Sequence, residues 1–183
     1  ANDLKGEIET QWLIDGWLEQ ETLACLFGER NIHKSYVALT WAYLLAQGTH
    51  ITDEALVSKK ICSLYIPTEA RRTVKVRIEA MRQIYKEIED EMLLIWEDDW
   101  DWSDKHIDKF CHHFKYSQML EGNQRVPKLI IIDSLSQSDL EGTVNSDAVI
   151  RQILKQAKKI QDQCRVTVLL IAHSGKNVSK GIM

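Results

Sequence analysis

Residues Leu26 to Leu39 read LFGERNIHKSYVAL. Within them, GERNIHKS (Gly28 to Ser35) follows the spacing of a phosphate-binding loop, G-x-x-x-x-G-K-[ST], except that His33 stands where the second glycine belongs. The apolar run TLACLFG (Thr22 to Gly28) precedes it and has the length of a buried strand. KSYVALTWAYLLAQG follows, with apolar residues at helical spacing up to Gly48. A strand, a loop and a helix in that order are what such a loop needs, because the free amides of the helix's first turn and the helix dipole both favour an anion. On this reading Gly28, Glu29, Arg30, Asn31, Ile32 and His33 wrap the phosphates of ATP. Lys34 reaches the terminal ones, and the Ser35 hydroxyl ligates Mg²⁺. If position 33 requires a left-handed backbone, a histidine costs about 1–2 kcal/mol there, which is small beside a multidentate phosphate site. The loop alone leaves nucleotide binding open, since G-x-x-x-x-x-K-S also arises by chance.

The pattern continues outward from the loop. It predicts strands at Ile61–Glu69, Met92–Trp96, Lys128–Leu135 and Val166–Ser174. Helices are expected at Thr73–Glu91, at Ser103–Leu120 behind a Ser103 cap, and at Asn145–Cys164 behind Asn145 or Ser146. Strands that are apolar throughout, alternating with helices, imply an α/β fold with a mostly parallel central sheet and helices on both faces. No internal repeat, low-complexity tract or linker interrupts it, so residues 1–183 read as one domain.

Composition narrows the class. The chain has 183 residues, 44% hydrophobic and 27% charged, enough for one domain with a real core. No apolar run reaches membrane-spanning length and no secretory signal opens the chain. The four cysteines (Cys25, Cys62, Cys111, Cys164) form no C-x-x-C pair, and three of them lie in or beside apolar segments, which reads as reduced core residues of a cytoplasmic protein. A formal net charge of −4 argues against a surface that binds nucleic acid as a whole, so any DNA contact is local or lies outside these residues. The opening Ala1 and the closing SGKNVSKGIM are not the expected ends of a finished chain, and a longer protein truncated at the C-terminus is expected.

Three further residues fall where an ATPase needs them. Asp133 ends the apolar strand in PKLIIIDSL, where a carboxylate can hold Mg²⁺ through its water. Glu69 ends SLYIPTE, where it can orient and polarise the attacking water. His173, with Ser174, ends the last strand, where a polar group can sense the terminal phosphate.

The order GERNIHKS, LYIPTEARRTVKVRIEAM, LIIIDSL, LLIAHSGK resembles the RecA-like P-loop ATPases of the RepA type, hexameric replicative helicases of plasmids with relatives in phages and other mobile elements. The opening WLIDGWLEQETLACLFGE is similar to the turn that leads into their loop strand, and the resemblance covers nearly the whole chain. It implies that Lys34 and Ser35 bind phosphate and Mg²⁺, that Glu69 is the catalytic base, that Asp133 is the acid on the Mg²⁺ side, and that His173 couples hydrolysis to DNA-contacting loops. It also implies a homo-oligomeric ring and single-stranded DNA held by loops partly outside this chain. His33 departs from the pattern, and the later strands and trans-acting arginine of the family are absent from these residues.

Other groups are weaker. His106, Cys111, His112 and His113 lack the spacing of a complete zinc site. Lys155, Lys158 and Lys159 read as a solvated helix face, and so do Arg71, Arg72, Lys75 and Arg77, although the latter could reach a nucleotide or a neighbouring subunit. The acidic stretch Glu87–Asp104, with Trp96, Trp100 and Trp102, reads as an exposed loop or else a partner-binding patch. Two functions remain on the sequence alone: an ATP-driven, DNA-acting motor, or a non-catalytic scaffold with a degenerate loop. Retention of Lys34, Ser35, Glu69 and Asp133 favours the motor, because charges in a decayed site are costly to keep buried.

Overall fold

A computed structural model describes residues 10–52, 59–68, 71–121, 125–135 and 147–173. The chain enters through a small antiparallel hairpin of β1 (Trp12–Ile14) and β2 (Leu18–Glu19). Its turn passes through Gly16, whose φ of 70° is left-handed. The main sheet follows, built from β3 (Leu23–Gly28), β4 (Ser63–Pro67), β5 (Leu93–Ile95), β6 (Leu129–Asp133) and β7 (Thr167–His173). Its order is β3-β7-β6-β4-β5, and every pairing is parallel. The helices are α1 (Lys34–Gln47), α2 (Arg71–Ile84), α3 (Asp104–Glu121) and α4 (Asp147–Cys164). The expected parallel α/β architecture is the one observed.

Strand side chains alternate between two cores. Ile130 and Ile132 of β6 join Leu64, Ile66, Val168 and Leu170 on the face covered by α3 and α4. Leu129 and Ile131 join Tyr65, Leu169 and Ile171 on the face covered by α1, α2 and the hairpin. Burial on both faces is why the central strands are apolar without a break. α1 is likewise apolar around most of its circumference, with Ala38, Leu39, Ala42, Tyr43 and Leu45 all buried. It stops at Gly48, which is left-handed and returns its amide to Leu44 and Leu45.

Most boundaries fall within a residue or two of the pattern, and one does not. The helix expected to reach Glu91 ends at Ile84. Its last turn closes with the Tyr85 amide on Met81, while the Tyr43 hydroxyl and the Gln47 amide, both from α1, take the Lys86 carbonyl. Side chains from a neighbouring helix thus capture the backbone that a longer helix would use. Ile88 then packs into the core, and a short 3₁₀ turn at Asp90–Met92 leads into β5.

The second departure concerns the tryptophans. Trp100 and Trp102 are 4% and 1% exposed, so the expected exposed loop is exposed only along its acidic side, at Glu97, Asp98 and Asp99. Trp96 and Trp100 meet Phe110 and His106 of α3 edge to face, and Trp102 meets Trp100 in the same way. The carboxylates turn outward, where Arg71 binds the Glu97 and Asp98 carbonyls and the Asp99 carboxylate, and Lys75 pairs with Glu97. Asp101 braces Ser103, whose hydroxyl accepts from the His106 amide and caps α3 as expected. The expected caps Asn145 and Ser146 lie outside the described residues.

Cys62, Cys111 and Cys164 are buried free thiols, whereas Cys25 is exposed on the edge strand β3. Among the described residues no helix is long and apolar enough to cross a membrane. Because Trp102 is a core residue, Trp102→Ala lowers the unfolding free energy by about 3–5 kcal/mol in urea titration. A loss below about 1 kcal/mol would return this stretch to the surface.

Candidate nucleotide-binding site

Parallel strands bring their carboxyl ends to one edge of the sheet. Here the register sets Gly28 beside His173, Ile171 beside Asp133, and Asp133 beside Pro67. With strands about 4.8 Å apart, residues separated by a hundred positions in sequence share one small site.

The loop after β3 enters α1 through two left-handed residues, Asn31 with φ 63° and His33 with φ 61°. His33 is the N-cap of α1 and offers it no side-chain cap, and no acidic residue occupies the first turn. The amides at this terminus are therefore left for an anion. A Cβ at Gly28 would lie 2.6 Å from the Ile32 Cδ1 atom, the movable tip of an exposed side chain that folds back over it, so glycine leaves room here for close packing of the loop. Arg30, Asn31, Ile32 and His33 all face solvent.

Lys34 is only 5% exposed. Its ammonium donates to the carbonyls of Gly28, at 2.9 Å, and Glu29, and lies 3.0 Å from the His173 Nδ1. An ammonium only donates, so Nδ1 accepts and the imidazole proton sits on Nε2. Burial lowers the pKa of Lys34, and the nearby Asp133 carboxylate acts in the opposite direction.

Asp133 is the hub of the site. One carboxylate oxygen accepts from the Ser35 hydroxyl at 2.9 Å, and the other accepts from the Tyr65 hydroxyl. Tyr65 is fully buried in β4. Burial raises the pKa of its phenol, and the charge and hydrogen bond of Asp133 raise it further, so it remains a donor. Beside it, the Thr68 hydroxyl donates to the Ser134 carbonyl at 2.7 Å and accepts from the Ser134 amide at 2.8 Å. The Thr68 amide donates to the Asp133 carbonyl at 2.6 Å. The ends of β4 and β6 are thereby tied together one residue before Glu69.

The structure thus gathers Gly28, Glu29, Lys34, Ser35, Asp133 and His173 into one site. Glu69 and Ser174 lie outside the described residues. Sequence reading missed Tyr65, Thr68 and Ser134. Tyr65 left a usable signal, since a phenol inside an all-apolar strand must find an acceptor and Asp133 ends the neighbouring strand. The clusters read as solvated are largely paired: Lys158 with Asp162, Lys159 with Asp108, Lys75 with Glu97. Among the described residues no group of three potential ligands is placed to hold a metal ion.

The residues fit a magnesium nucleotide. An uncapped helix start and a buried ammonium suit phosphate, while a hydroxyl and a carboxylate in direct contact suit a hard cation. Such a loop on a parallel sheet, faced by a strand-end carboxylate, defines a RecA-like P-loop ATPase domain. Residues 1–179 match the family described as AAA domain, and the chain belongs to it. In fold it is similar to the KaiC-like protein PH0186 of the hyperthermophilic archaeon Pyrococcus horikoshii OT3, with a TM-score of 0.55 and 16% identity over 88% of this chain. This chain spans 65% of that protein's length. No curated protein matches it.

The left-handed backbone at position 33 sets a test. Replacing His33 by glycine removes about 1–2 kcal/mol of strain and adds about 0.5–1 kcal/mol of unfolded-chain entropy. His33→Gly therefore stabilises the chain by about 0.5–1 kcal/mol in urea titration, and His33→Val destabilises it. The reverse order would mean that residue 33 is not left-handed.

Proposed function

We propose that this chain is the ATP-binding and hydrolysing motor domain of a RepA-type or DnaB-like replicative helicase, or of a related DNA-acting ATPase of the RecA family. The observation that carries the proposal is the direct Ser35–Asp133 contact beside a buried Lys34, which unites two separate sequence signals, the loop and the strand-end carboxylate, at one sheet edge. The helicase assignment rests on the sequence resemblance.

In this reading the amides of residues 31–35 and the Lys34 ammonium hold the phosphates. Lys34 leaves its own loop carbonyls to do so. Ser35 and Asp133 hold Mg²⁺, which supplies charge neutralisation on the terminal phosphates. Glu69 orients the attacking water and accepts its proton. His173, already in contact with Lys34, responds to the state of the terminal phosphate and passes it on to the residues that follow β7. Subunits assemble into a ring, with single-stranded DNA held by loops partly outside this chain.

The scaffold reading draws on the same lysine, since its contacts with Gly28, Glu29 and His173 also describe a loop folded onto itself. A thermal shift separates the two. Mg-ATP at a hundred times its dissociation constant stabilises the motor by about 2.7 kcal/mol. Lys34→Ala abolishes the shift, and Glu69→Gln keeps it while removing turnover. No shift in the unaltered chain would establish the scaffold, and normal turnover in Glu69→Gln would remove Glu69 from its role.

A further inference from the structure

Resting on that reading, we infer that Tyr65 is a positioning residue for the magnesium site: its hydroxyl holds one oxygen of Asp133 so that the other is aimed at Ser35 and at the cation the two would share. The geometry gives each carboxylate oxygen one donor, Ser35 on Oδ1 at 2.9 Å and Tyr65 on Oδ2. The two donors come from different elements, one from the start of α1 and one from the middle of β4. Between them they fix the rotation of the carboxylate about its terminal bond, a torsion that is otherwise broad.

Three features separate Tyr65 from an ordinary core tyrosine. Its ring is fully buried among Leu39, Tyr43 and Ile131, so its position is set by packing rather than by the hydrogen bond. The bond it makes is to a charged acceptor, the shorter and stronger kind. Its hydroxyl donates to Asp133 itself, so it acts on the site through that carboxylate. The Thr68–Ser134 exchange next to it fixes the backbone carrying Asp133, so the phenol is left to orient the side chain. Partners behind a metal-side carboxylate matter to the metal, and their loss lowers affinity about 10–100-fold.

The test measures magnesium and nucleotide separately on the whole chain. In EDTA, Tyr65→Phe shows the same ATP-induced thermal shift as the unaltered chain, because the phosphate contacts are intact. In a Mg²⁺ titration at fixed ATP, the concentration giving half of the additional shift rises about tenfold. In the Asp133→Asn background the same substitution changes the Mg²⁺ midpoint less than twofold. Tyr65→4-aminophenylalanine, which keeps a weaker donor in the same place, gives an intermediate midpoint and serves if the phenylalanine variant does not fold. An unchanged Mg²⁺ midpoint in either variant, with only the unfolding temperature lowered, would reduce Tyr65 to a packing residue. An equal loss of ATP binding in EDTA would also overturn the assignment. Absence of any ATP shift in the unaltered chain would instead remove the nucleotide site itself.

Discussion

Everything in this molecule follows from five strands that run the same way. Parallel pairing forces a helix between successive strands, buries both faces of the sheet, and delivers every strand's carboxyl end to a single edge. At that edge the ladder places Gly28 beside His173 and Asp133 beside Pro67. The chemistry is then a matter of which side chains the strand ends carry. Lys34 with Ser35, Tyr65, Asp133 and His173 come from four stretches of sequence that the ladder brings together at this edge.

The site combines rigidity with one poised group. Asp133 is fixed on both oxygens and its backbone is tied to Thr68, so the cation side is built in advance. Lys34, by contrast, has its donors engaged with carbonyls of its own loop and with His173. A buried ammonium needs such partners, since leaving it unpaired costs several kcal/mol. On the function proposed here, a phosphate would replace these carbonyls and draw the lysine away from His173, which would give the histidine a physical means of registering whether the loop is filled.

The fold was legible from sequence because its signals are local. Unbroken apolar runs marked β3, β4, β6 and β7, and Gly48 and Ser103 marked helix boundaries to within a residue. The errors arose where tertiary contacts override local preference. α2 ends early because Tyr43 and Gln47 reach across from α1 to the Lys86 carbonyl, and no residue near Lys86 announces this. The tryptophans are buried despite their acidic neighbours because charges and indoles on the same short segment face opposite ways. Of the site, the loop and Asp133 were readable from spacing. The left-handed turn at His33 is not legible, since spacing does not report dihedrals. Tyr65, Thr68 and Ser134 were missed because their importance lies in which strands are neighbours, and β4 lies next to β6 rather than to β3.

The central claim is that this loop holds a triphosphate with a histidine in the glycine position. A crystal structure of the chain grown with Mg²⁺ and a non-hydrolysable ATP analogue tests it most directly. The account predicts phosphate oxygens on the amides of residues 31–35, the Lys34 ammonium displaced from the Gly28 and Glu29 carbonyls onto the terminal phosphate, and a cation between Ser35 and Asp133. An empty loop, with Lys34 still on those carbonyls and on His173, would contradict it.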